Sequence, residues 1–184
     1  MANPRAAVKQ AHERAQVNLL TNMLNNRYGS SYEVILEPEP PEAIIKSNRT
    51  ISWVEVVTAY LNNEFARDIN SSVTEGETHH SISGTLIVGP DAQFCQNFTA
   101  SVRAKLEKKT YEKFRDQYGP GYLVVSIQNP FFDDETLSMI NQYWSSLQVA
   151  DLGCFRSVYL TYRVTHGYRI RRWTPPTKLA ISKR

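Results

Sequence analysis

Two glutamates in this chain fall where carboxylates can do chemistry. Glu42 follows Pro41 and opens the short apolar segment Ala43-Ile44-Ile45, and Glu55 lies inside Ile51 to Val57, a run rich in β-branched and aromatic residues. Turn chemistry at Ser47-Asn48-Arg49 separates the two segments, so together they read as a β-hairpin. Antiparallel pairing brings facing residues within a few Å on one face of a sheet. Two carboxylates sharing a pocket repel, and either a cation or a raised pKa must relieve them. Oxygen-rich pairs are the ligands that Mg²⁺ and Mn²⁺ prefer, and a metal held there can activate water and stabilise charge on a phosphodiester. Glu42 and Glu55 are therefore the candidate metal ligands and catalytic carboxylates, with Glu13 or Glu37 as a further acid. Trp53, Glu55 and Val57 share one face of their strand, which predicts partial burial for the acid between two apolar neighbours.

The elements that must position these groups can be read from periodicity. Val8, Ala11, Ala15, Leu19 or Leu20, and Met23 recur at helical spacing and predict a helix over residues 5–27. Strands follow over residues 32–36, 43–45 and 51–57. A helical stripe covers 58–69, a short strand 84–88, and a long helix 92–118 carries Phe94, Phe98, Val102, Leu106 and Phe114. Gly119-Pro120-Gly121 breaks the chain before an apolar run at 122–127, as expected of a strand covered on both faces. A helix over 133–147 and a final hairpin, 157–164 with 168–173, complete the order. Interleaving of this kind predicts an α/β fold with a central mixed sheet flanked by helices. Residues 1–174 are expected to form one domain, and 175–184 a flexible basic tail.

At this point the chain resembles the PD-(D/E)XK nuclease-like superfamily, the restriction-endonuclease fold. The resemblance rests on Pro41-Glu42, followed after twelve residues by Glu55-Val56-Val57, and on the order helix, three strands, helix, strand over roughly residues 10–127. It implies a restriction-endonuclease-like core with an added C-terminal hairpin, divalent metal on Glu42 and Glu55, and a lysine that positions or activates water. The chain departs from the pattern twice: Glu42 stands where the family usually has Asp, and Val57 where it usually has Lys. Some members of the superfamily move that lysine to a neighbouring helix. Here Lys109 is the first choice and Lys105 the second, because they are four apart, share one helical face and flank the inward-facing Leu106. Lys105, Lys108 and Lys113 are also candidate contacts to nucleic acid.

Composition sets the outer limits. The chain has 184 residues, 41% hydrophobic and 21% charged, with a net charge of +3. Such values exclude a disordered chain, and no apolar run approaches a membrane span. The start of the chain lacks the apolar core of a secretion signal, and Cys95 and Cys154 read as buried, reduced thiols, so a cytoplasmic protein is expected. Four glutamates lie within residues 33–42 and six basic groups within 103–115, an acidic centre with a basic flank that can hold a cation and attract a polyanion. Two other readings compete with a nuclease. One is the same fold without catalysis, a nucleic-acid-binding or protein-interaction module, which the loss of lysine at Val57 favours. The other is a homo-oligomer joined through an aromatic C-terminal hairpin.

Overall fold

In the computed structural model, six strands form one sheet in chain order: β1 (Glu33–Leu36), β2 (Ala43–Lys46), β3 (Ile51–Tyr60), β4 (Gly121–Gln128), β5 (Phe155–Val164) and β6 (Gly167–Trp173). The structure describes residues 4–48, 50–74, 76, 78–81, 89–147 and 151–176. Strands β1, β2 and β3 run antiparallel as a meander, β3, β4 and β5 are parallel neighbours, and β6 returns antiparallel to β5. The fold is thus α/β with a six-stranded mixed sheet flanked by helices. The apolar run that forms β4 is buried at every residue but Gln128, as its central, parallel position requires.

The helices are α1 (Pro4–Tyr28), α2 (Asn63–Val73), α3 (Pro90–Leu106), α4 (Glu112–Tyr118) and α5 (Asp134–Ser146), with a 3-10 turn at Lys109–Tyr111. Both α3 and α5 pack on one face of the sheet, against Ile44, Trp53, Leu123, Val125, Val158 and Leu160. They belong to the two parallel crossovers, β3 to β4 and β4 to β5, and a single hand of crossover sends both to the same side. On the opposite face α1 packs Val17, Leu20 and Leu24 against Ala43, Ile45, Val54, Val56, Tyr122 and Val124.

Three boundaries differ from expectation. β3 runs on through Thr58, Ala59 and Tyr60, and α2 starts only at Asn63, where the Asn62 side chain accepts a hydrogen bond from the Phe65 N–H at 2.7 Å. That cap sets the helix start more firmly than the apolar stripe does. The predicted helix over 92–118 is broken after Leu106, with Lys108 in an extended conformation. The stripe Phe94, Phe98, Val102 and Leu106 advances by four, so an unbroken helix would turn Tyr111 roughly 140° away from it. The break instead buries Tyr111 completely, with its ring stacked 5.5 Å from Trp53. Finally, β5 begins at Phe155, two residues before the expected start, and buries that ring against Trp53 and Tyr111. The predicted strand at 84–88 and the tail beyond 176 lie outside the described residues.

The C-terminal hairpin offers little aromatic surface. Tyr159, Tyr162 and Trp173 are buried, and Tyr168 alone among these four is exposed. Trp173 lies edge-on to Phe98 and Trp144 and donates its Nε1–H to Asn141 Oδ1 at 2.9 Å. These rings pack the core.

Candidate functional site

The register of the meander puts the two predicted carboxylates together. Ala43 pairs with Val54 at the last step of the β2–β3 ladder, and Glu42 and Glu55 are the next residues on each side of it, near enough for the Glu55 charge to act on Glu42. Beyond this point β2 has ended and β3 continues against β4 alone. The acids thus sit where the sheet loses a strand. Alternation turns Trp53, Glu55 and Val57 toward the α3 side, and Glu55 is buried completely rather than partly. Among the described residues no other charged side chain is fully buried.

Burying a carboxylate is costly unless it is paired. Lys105, from the last turn of α3, brings its Nζ onto Glu55 Oε1. The other oxygen, Oε2, has no hydrogen-bond partner and no exposure. The fully buried Tyr111 hydroxyl lies within reach of this carboxylate and has no other partner. Burial first, then the Glu55 charge, the side-chain hydrogen bond with Glu55 and the Glu42 charge push the Tyr111 phenol far above its usual range, so it stays a neutral donor beside Glu55.

Around this buried pair is a second tier of acids. Carboxylate oxygens of Glu13, Glu39 and Glu42 lie within 4.8 Å of one another, so metal-ligand spacing exists between α1 and the segment that leads into β2. Burial, followed by the charges of Glu55 and Glu13, pushes Glu42 up to about 8. Glu13 is raised as well, by burial first and with Lys9 acting against it. Lys9 binds Glu39, which holds that exposed carboxyl below its usual range, and lies 3.4 Å from Glu13. Without another cation, Glu42 holds a proton at neutral pH, first because it is buried and then because the Glu55 and Glu13 charges oppose a further one. Acidic clusters on a surface are common without a metal. Here the outer acids adjoin a buried carboxylate that has a free oxygen.

Not every predicted residue joins this group. Glu37 is held away by Arg14, whose Nε and guanidinium nitrogen donate to its two oxygens at 2.8 and 3.0 Å. Glu39, one turn of chain later, takes the place considered for it. Lys109 begins the 3-10 turn and is exposed. The helix ends at Leu106, so Lys105 and Lys109 do not share a helical face, and the lysine that reaches Glu55 is Lys105. The same contact makes Lys105 a residue of the acidic site first and a surface cation second. Lys108 and Lys113 lie over the rings of Tyr111 and Phe114, at 5.3 and 4.8 Å, on the outer side of the broken segment.

Trp53 fixes the strand that carries Glu55. Its ring is fully buried against Tyr111, Phe114 and Phe155, and its Nε1–H donates to Gly119 O at 2.9 Å. Gly121 lies directly under it, and a Cβ there would meet the indole at 2.4 Å. The glycine in Gly119-Pro120-Gly121 thus serves close packing as well as the turn.

Beside the acids the molecule opens into a cleft of about 650 Å³ on the α1 face. Val56, Thr58, Tyr60 and Gln128 contribute from the ends of the parallel strands, and α1 and α2 from the sides. Glu13, Lys9 and Lys105 belong to both the cleft lining and the acidic group. Nothing in the sequence announced this cavity, because it depends on where α1 stops touching the sheet. No protein-family model, curated protein or solved structure matches this chain.

Proposed function

We propose that this chain is a metal-dependent, nuclease-like phosphodiesterase acting on nucleic acid, a divergent relative of the PD-(D/E)XK enzymes. The observation that carries this reading is the ion pair of Lys105 with Glu55, close to Glu42. An ammonium from the neighbouring helix supplies the charge that Val57 cannot. The order of helix, three-stranded meander, helical crossover and parallel strand supports the same reading.

The donor set suits a hard divalent cation. Glu13, Glu39 and Glu42 bring carboxylate oxygens within 4.8 Å of one another beside the buried Glu55, and Mg²⁺ or Mn²⁺ is commonly held by a few such groups with water completing the shell. Bound there, such an ion would lower the pKa of water and stabilise charge on a phosphodiester. The chain's own groups do the rest. Glu42 surrenders its proton when positive charge arrives. Glu55, held by Lys105 and beside Tyr111, keeps its carboxylate charged at a fixed place behind these acids. Lys105 is near enough to orient a water or to bear on a phosphate oxygen.

The test is cleavage of plasmid DNA, a single-stranded oligonucleotide and RNA with Mg²⁺ and with Mn²⁺. Wild type should cleave at least one of them, and Glu55→Gln and Lys105→Ala should each lose a hundredfold or more in rate, on the order of one positioned charge at a phosphoryl centre. Lys109→Ala should match wild type. A wild type that cuts none of these with either ion would overturn the enzyme reading in favour of a nucleic-acid-binding module.

A further inference from the structure

The cleft on the α1 face is continuous with the acidic edge. Glu13 and Lys105 line it at that end, and Tyr60, Gln128 and Tyr168 at the ends of the strands beyond. Its volume, about 650 Å³, lies within the range of pockets that enclose one small organic ligand. Val8, Val56, Ile69 and Val73 give it aliphatic walls; the Asn70 Oδ1 accepts from the Tyr60 hydroxyl and the Gln128 Nε2 donates to Ser126 Oγ, which leaves the Asn70 amide NH₂ as a donor and the Gln128 carbonyl as an acceptor. A lipid tail would find the walls but have no use for the amides. An inorganic anion would have no use for the walls. A nucleobase uses both, since it presents two apolar faces and a polar edge.

We propose that this cleft receives the unpaired nucleotide adjoining the phosphate held at the acidic edge, so that the substrates are single-stranded or frayed ends rather than intact duplex. The inference rests on the phosphodiesterase reading for the position of the phosphate. A paired and stacked base cannot enter a pocket of this size unless it is first unstacked and rotated out of the helix, which costs free energy. An unpaired base avoids that cost. The cleft lies at the carboxyl ends of β3 and β4, where open parallel sheets commonly take their ligands.

The experiment measures binding of a fluorescein-labelled ten-nucleotide single strand and of the blunt duplex of the same sequence. Fluorescence anisotropy is read with Ca²⁺ present to suppress turnover and again without metal. Wild type should bind the single strand at least about tenfold more tightly than the duplex, the equivalent of one lost stacking or unstacking contribution. Ile69→Trp, which fills the cleft from α2, should abolish that preference while leaving Mn²⁺ binding by calorimetry unchanged. Asn70→Ala, at an exposed position that does not threaten folding, should reduce it several-fold. Equal binding of the two forms by wild type would overturn the proposal, and so would a preference that survives both variants. Loss of the phosphodiesterase reading looks different: Mn²⁺ binding would be absent or indifferent to Glu55→Gln, whereas the strand preference without metal and its sensitivity to Ile69→Trp would still decide the cleft.

Discussion

The two faces of the sheet meet the same strand, β3, and treat it differently. On one face, α3 and α5 arrive with the two crossovers and close over an aromatic core of Trp53, Phe94, Phe98, Tyr111, Trp144 and Phe155. On the other, α1 buries Gln16, Val17, Leu20, Thr21 and Leu24, all in its second half. Its first three turns overhang the cleft and carry Lys9, His12 and Glu13. Burial lowers the His12 pKa, so it is neutral there at physiological pH. The contrast follows from topology. Two parallel crossovers of one hand supply α3 and α5 to one face, and among the described residues α1 is the helix whose apolar side chains cover the centre of the other. The acidic site sits on the boundary, with Glu55 reaching into the dense side and Glu13 standing on the open one. A buried charge needs rigid support, whereas a ligand needs access, and this boundary provides both.

The comparison breaks first at Trp53. Trp53→Ala should destabilise the protein by about 3–5 kcal/mol, the range for removing a fully buried aromatic, as measured by denaturant unfolding. A loss under about 1 kcal/mol would mean that the α3 face is not the rigid half. Next is Lys105. Lys105→Met strands a buried carboxylate, which ordinarily costs about 3–5 kcal/mol, and partial exposure of the lysine reduces this to about 2–3 kcal/mol. The double variant Lys105→Met with Glu55→Gln should recover most of the loss. If it does not, the pair contributes little to holding the two elements together.

Titration of Glu42 sharpens the boundary between the faces. Its carboxyl is raised to about 8, so between the ordinary carboxylate range and pH 8 the folded state holds a proton that the unfolded chain has released. Metal-free stability should therefore fall as pH rises through that window. Mn²⁺ affinity should move the opposite way, rising by up to about tenfold per pH unit below 8, because each ion bound expels one proton. Calorimetry at pH 6, 7 and 8 measures the slope, and Glu42→Gln should flatten it. An equal slope in that variant would assign the proton to another group.

The smallest effect is expected at Glu37. Its pair with Arg14 is largely exposed, and Glu37→Ala should change stability by no more than about 0.5 kcal/mol. Mn²⁺ affinity should stay the same. A clear loss of metal binding would return Glu37 to the acidic group in place of Glu39.

Much of this arrangement is legible from residue order. Period-two alternation marks the strands, Gly119-Pro120-Gly121 marks the entry to β4, and the parity of Trp53, Glu55 and Val57 places the acid among apolar neighbours. The split of the long helix was also available in principle. After Leu106 the inward positions of a continued helix would fall on Lys109, Thr110 and Lys113, while the apolar Tyr111 would face out. That slip of phase is a local signal that a stripe count over a long window averages away.

What residue order by itself determined is most of the strands and helices and the nearness of Glu42 to Glu55 around the β2–β3 hairpin, because strand parity and hairpin register are local properties of the backbone. Tertiary structure decided the rest. Which lysine meets Glu55 depends on where α3 stops, and α3 stops where Tyr111 gains more by packing under Trp53 than by continuing a helix. Whether Glu37 or Glu39 joins the cluster depends on the neighbouring turns of α1, where Arg14 takes one and Lys9 the other. The cleft depends on how far one helix can cover a six-stranded sheet. Each of these is a competition between groups distant in sequence, and the outcome is set by the distances that folding creates between them.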